Sequence, residues 1–125
     1  MLFRSFNTWP DMNGSFVPAN LYNEQLSFWK QFLENNTWIQ FVHRSTAYLL
    51  ALAIIIFWWM NRKDITQKKW VNSLPIVVLI QVFLGITTIM LSVGKIPLLW
   101  AELHQLVAVL LLTILLRLRY TAAHG

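Results

Sequence analysis

Residues 38–59 read WIQFVHRSTAYLLALAIIIFWW and residues 97–116 read PLLWAELHQLVAVLLLTILL. A helix needs about 20 apolar residues to cross a bilayer, and both stretches meet that length. Lipid offers no partner to backbone N–H and C=O groups, so isolated spans are helical. Each run carries one histidine, His43 or His104, about two turns from its start. Ionisable side chains at such a depth are costly and usually functional. Imidazole is also a common ligand for iron.

Composition supports a membrane chain. The protein has 125 residues, 57% of them hydrophobic and 12% charged, whereas soluble domains average about 25% charged. Seven Trp and eight Phe suit aromatic belts at the bilayer edges. The net charge of +5 is unevenly placed. Arg62, Lys63, Lys68 and Lys69 face Asp64 alone in one loop, and Arg117 and Arg119 lie in the tail. That pattern reads as cytoplasm-facing segments and not as a nucleic-acid surface. The lack of cysteine excludes disulfides and thiolate metal sites. The start, MLFRSFNTWP, has no apolar region of the kind a signal peptide needs.

Three spans are expected, over 38–60, 70–91 and 98–116. The basic loop Asn61–Lys69 and the basic tail place the inner side, and the short loop Ser92–Pro97 is outside. Residues 1–37 then lie outside, as a domain distinct from the membrane bundle of 38–125. A polar segment of that length would have to cross with no preceding span, so the expectation is a piece of a longer chain that has lost earlier spans. Within 1–37, the loop NTWPDMNGSFVP is rich in turn residues. Tyr22, Leu26, Trp29 and Leu33 recur at helical spacing, flanked by Phe28 and Phe32. A short amphipathic helix over 21–33 is expected, lying in the interface or packed on other protein.

The sidedness makes the first and third spans parallel. His43 and His104 then share one depth, roughly 8–9 Å below the outer boundary. Two imidazoles at one depth can ligate a flat cofactor from opposite faces. Ala47 and Ala51 beside His43, and Ala101 and Ala108 beside His104, leave room, although small residues also serve helix packing. Gln81, Gly85, Thr88 and Ser92 form one polar face of the middle span. They read as a pocket wall or as interhelical hydrogen bonds. Arg44 reads either as a partner for a ligand carboxylate or as a side chain snorkelling to lipid phosphate. Glu102 can reach the interface, while Lys95 and His124 read as solvated.

Four strings then resemble a family: FNTWPDMNGSFVP (6–18), ENNTWIQFVHRSTAYLLAL (34–52), LIQVFLGITTIML (79–91) and LHQLVAVLLL (103–112). Together they resemble the C-terminal half of heme A synthase. The resemblance implies an all-α membrane protein whose three transmembrane helices are the remnant of a four-helix heme-binding half-bundle. It implies a prosthetic heme b with His43 and His104 as axial ligands of the iron, and Arg44 and Gln81 as further cofactor-binding residues. The family oxidises the C8 methyl of heme O to the formyl of heme A. The heme O substrate and the catalytic residues belong to the half without a counterpart here, so no residue of this chain is assigned as catalytic and the chain alone is expected to be inactive. MLFRS stands where the end of a preceding helix is expected. Implied partners are heme O, membrane lipids, heme O synthase and terminal oxidase assembly factors, with a homo-oligomer compatible. The implied location is a bacterial or mitochondrial inner membrane, N-terminus outside and C-terminus cytoplasmic. Two readings from other classes stay open: a stand-alone bis-histidine cytochrome b, and a cofactor-free membrane subunit whose histidines only bond neighbouring helices.

Overall fold

A computed structural model describes residues 6–64 and 66–124. The MLFRS segment lies outside the described residues. Four helices and no strand form among those described: α1 Phe28–Glu34, α2 Asn36–Asn61, α3 Lys68–Leu91 and α4 Leu98–His124. The last three are long and apolar enough to cross a membrane. They hold 26, 24 and 27 residues, and at about 1.5 Å per residue each exceeds a hydrocarbon core of about 30 Å. The three expected spans are thus present as helices, with longer ends. α4 continues past residue 116 and carries Arg117 and Arg119 on helical turns.

Local chemistry sets these ends. The Asn35 side chain caps α2 by accepting from the Trp38 N–H at 3.2 Å, which satisfies one of the free donors of the first turn. Gly94, at φ 76°, turns the chain between α3 and α4. Pro97 then precedes α4, and its carbonyl accepts from the Ala101 N–H at 3.1 Å.

The amphipathic helix expected over 21–33 forms only from Phe28 onward. Gln31 is the reason. Its side chain is fully buried and makes four hydrogen bonds. Nε2 donates to the carbonyls of Asn23 (2.7 Å) and Leu26 (3.1 Å), while Oε1 accepts from the Asn23 N–H (3.3 Å) and Asn35 Nδ2 (2.7 Å). These bonds hold residues 23–26 in a turn that a continuous helix would abolish. The apolar stripe also faces outward: Trp29 and Leu33 are 75% and 79% exposed.

Asn35 ties this segment to α2, since its Nδ2 also donates to the Leu21 carbonyl at 2.9 Å. Asn35→Ala removes the cap and both Nδ2 bonds. We expect a local loss of about 1–2 kcal/mol. Amide exchange in detergent-solubilised protein should accelerate over residues 21–38 and stay unchanged in α4. Unchanged exchange over 21–38 would reject the assignment.

The bundle closes at one end and opens at the other. Ile54 of α2, Val71, Leu74, Val77 and Val78 of α3, and Leu111, Ile114 and Leu118 of α4 form one buried cluster. All but Leu111, at the middle of α4, lie towards the Asn61–Lys69 end of the bundle. Arg117 stacks over Trp70 at 4.5 Å and Arg62 over Trp59 at 3.6 Å at the same end, where a cation on an aromatic face suits the membrane boundary. α3 packs against both neighbours, yet no described Cα of α2 lies within 8 Å of a described Cα of α4. The two histidine-bearing helices are therefore held apart by the middle one.

Candidate functional site

The gap between α2 and α4 is a cavity of roughly 530 Å³, inside the usual range of about 300–1,000 Å³ for small-molecule sites. Its walls are mostly apolar, and both His43 and His104 line it. Ala47, Ala51 and Ala108 line it as well, whereas Ala101 does not. Three of the four small residues thus keep the space open.

The two imidazoles face this space with ring centroids 6.3 Å apart and planes inclined at 73°. Two imidazoles on opposite sides of one metal ion, each bonded at about 2.0 Å, hold their centroids roughly 6.3 Å apart. The rings are too far apart to bond each other directly, and no hydrogen bond joins them. No group of three or more metal-ligating side chains occurs among the described residues. A metal held here by side chains has two protein donors, which suits an ion that arrives with its own equatorial ligands.

His104 is oriented by α3. Its Nδ1 lies 3.1 Å from the Gln81 carbonyl oxygen. A carbonyl only accepts, so Nδ1 carries the proton and Nε2 presents its lone pair. The ring can come this close because residue 85 has no side chain. A Cβ there would sit 2.9 Å from His104 Cε1 and 3.4 Å from Nδ1. The Gln81 amide Nε2 donates to His104 Nε2 in a long contact of 3.4 Å. Its Oε1 is buried with no hydrogen-bond partner. A buried orphan acceptor on a cavity wall is the kind of polar group a ligand satisfies.

Arg44 goes to neither of its two expected destinations through its terminal nitrogens. It is buried, at 6% exposure, which overturns snorkelling to lipid. Its Nη1 donates to the carbonyls of Thr8 (2.9 Å) and Asp11 (2.7 Å), and Nη2 donates to that of Phe6 (2.6 Å). Tyr48, one turn further along α2, donates its hydroxyl to the Pro10 carbonyl at 3.0 Å. The loop is also self-bonded: the Thr8 hydroxyl accepts from the Asn13 N–H and donates to the Asp11 carbonyl. Asn7 Nδ2 reaches across to the Ser92 carbonyl at the end of α3. The NTWPDMNG segment is thereby strapped over the N-terminal part of α2 and the C-terminal end of α3, and its Trp9 lines the cavity. Arg44 lines the cavity too, and its Nε is buried without a partner.

The polar face of α3 divides. Gln81 and Gly85 form cavity wall, as one reading had it. Thr88 and Ser92 donate to carbonyls of their own helix, those of Leu84 and Thr88, and not to a neighbouring helix. Glu102 and Lys95 are exposed. The exposed ring of His124 stacks on Tyr120 with centroids 4.4 Å apart. Sequence reading missed Trp9, Tyr48 and Gln105, all of which line the cavity. Tyr48 was open to discovery, being at i+4 from Arg44 and so on the same helical face.

Comparison with known proteins agrees with this architecture. The family model described as cytochrome oxidase assembly protein (COX15-CtaA) matches residues 2–116. A heme A synthase of Pelagibacter ubique is 40% identical over 109 residues, covering 86% of this chain and 31% of the relative. Heme A synthases of Dinoroseobacter shibae and Paracoccus denitrificans are 33% and 37% identical, each covering 97% of this chain and 31% of the relative. The chain therefore spans about a third of the length of these curated relatives. No solved structure matches. With its four motifs in order along a three-span helical bundle, the chain belongs to the heme A synthase family of cytochrome oxidase assembly proteins.

Proposed function

We propose that this chain is the heme b-binding C-terminal part of a heme A synthase, with His43 and His104 as axial ligands of the iron. The observation that carries the reading is the 6.3 Å separation of two imidazoles across a cavity. The porphyrin supplies four equatorial nitrogens, which the two-donor site lacks. Such a group, when bound, supplies reversible one-electron transfer.

The chain's own residues have definable tasks. His104 is held in one tautomer by the Gln81 carbonyl, and the Gln81 amide offers a polar contact beside the ring. Arg44 keeps its Nε–H, which has no partner, for a ligand carboxylate, a charge-assisted bond. The apolar walls exclude water. In the whole protein this part would serve the oxidation of the heme O methyl to the formyl of heme A, with the reacting substrate held by the remaining two-thirds. The chain alone would then not make heme A. The proposed setting is a bacterial inner membrane, with the loop end outside and the basic loop and tail in the cytoplasm. Heme O synthase and oxidase assembly factors are the proposed partners, alongside membrane lipid and self-association.

The test is heme titration of the detergent-purified chain. We expect one heme per chain with a low-spin, bis-imidazole b-type spectrum in both oxidation states. No saturable binding, or a purely high-spin spectrum, would overturn the reading in favour of a cofactor-free subunit.

A further inference from the structure

The two histidines are not equivalent. His104 donates through Nδ1 to a helix carbonyl, rests on α3 over Gly85, and is partly buried. A second bond of this kind fixes the tautomer and ring orientation of a metal-ligating histidine and raises its basicity. His43 has an exposed side chain. It makes no hydrogen bond to any described residue, although its neighbour Arg44 is clamped by three. The backbone under His43 is thus fixed while no hydrogen bond to a described residue holds its ring, which meets the His104 ring only edge-on. The helices repeat the difference, because α4 packs along α3 while no described Cα of α2 comes within 8 Å of one in α4.

From this asymmetry we infer that His104 is the fixed axial ligand and His43 the exchangeable one. This rests on the heme-binding reading above and adds a coordination property to it. With heme bound, His43 would be the ligand to give up its bond to the iron, and a small neutral donor entering from the α2 side would take its place. No electron is transferred and no proton moves, because His43 leaves as neutral imidazole. The Gln81 carbonyl keeps His104 in place throughout. The ligand class is a compact uncharged donor such as carbon monoxide or free imidazole, since the cavity walls beside His43 are apolar alanines. Arg44 and Trp9 line the same side, so the loop borders the path that such a donor would take.

The experiment compares His43→Gly with His104→Gly in the heme-loaded chain, beside carbon monoxide binding by the unmodified protein. His43→Gly should retain heme within about threefold of the parent affinity and turn high-spin. Free imidazole should then restore the low-spin spectrum. His104→Gly should bind heme at least tenfold more weakly, in line with losing an anchored ligand, and imidazole should restore it poorly. The reduced parent protein should take up carbon monoxide in a single phase limited by release of His43, with a rate that levels off at high gas concentration. Equal heme affinity and equal imidazole rescue in the two variants would overturn the inference. So would a parent protein that excludes carbon monoxide entirely, a result that needs no variant to fold. A parent that shows no low-spin heme at all would instead sink the heme-binding reading.

Discussion

Gly85→Val is expected to weaken heme binding at least about 100-fold while leaving the helical bundle folded. The first carbon of any side chain at residue 85 falls 2.9 Å from His104 Cε1, closer than non-bonded carbons pack. The ring must therefore retreat from α3. Its bond to the Gln81 carbonyl is 3.1 Å long, so a retreat of half an ångström carries it past the limit of a useful hydrogen bond. Loss of an orienting partner of this kind typically costs about 10–100-fold in metal affinity, and the two further methyl groups of valine add a steric block on the cavity side. Gly85→Ala should fall between, at about tenfold, since the ring is a side chain that can shift by a few tenths of an ångström. Heme titration reads the affinity, and far-ultraviolet circular dichroism with gel filtration reports the fold. A Gly85→Val protein that is monodisperse and helical yet binds heme like the parent would show that His104 does not need its seat on α3.

The same glycine shows how far the sequence could be read. The three spans were legible because 20-residue apolar runs have one stable form in lipid. The matched depth of His43 and His104 followed from helix rise and the charge bias of the loops. Gly85 appeared in the sequence only as one step of a polar face. That it is a contact point for an imidazole depends on how α3 and α4 cross, which periodicity along one helix does not encode. Gln31 marks the opposite failure. A polar residue inside the expected 13-residue helix, it is instead the buried centre of four hydrogen bonds, and the turn it holds over residues 23–26 delays the start of the helix from residue 21 to Phe28. Glutamine is mostly exposed in proteins, so composition pointed the wrong way. The loop 6–17 was legible as ordered from its Pro, Gly and Asn content, but its purpose was not, because its partner lies more than thirty residues away on α2.

Arg44→Ala should release that loop. The guanidinium bonds three carbonyls of the loop at 2.6–2.9 Å, and each hydrogen bond from a charged donor is worth about 1.5–3 kcal/mol. Water reaches the freed carbonyls once the loop lifts, so the net loss is smaller than their sum, about 3 kcal/mol. That corresponds to a rise of about 100-fold in the open population. Hydrogen exchange of the Phe6, Met12 and Asn13 amides should quicken by this factor. Each of them is bonded in the closed loop, to Gln40, Ser15 and Thr8 respectively. Amides in the middle of α3 should be unaffected. Met12, now 3% exposed, should become open to oxidation by peroxide, a second readout independent of exchange. Arg44→Lys is not conservative here, because one ammonium cannot match the planar fork that reaches Phe6 on one side and Thr8 and Asp11 on the other. It should recover no more than about half of the lost protection. Tyr48→Phe removes a single bond to Pro10 from an exposed hydroxyl and should change exchange by only a few-fold. If Arg44→Ala left all three amides as slow as in the parent, the loop would be held by its own internal bonds and by the contacts of Asn7 and Phe6. Arg44 would then be free to serve the cavity alone.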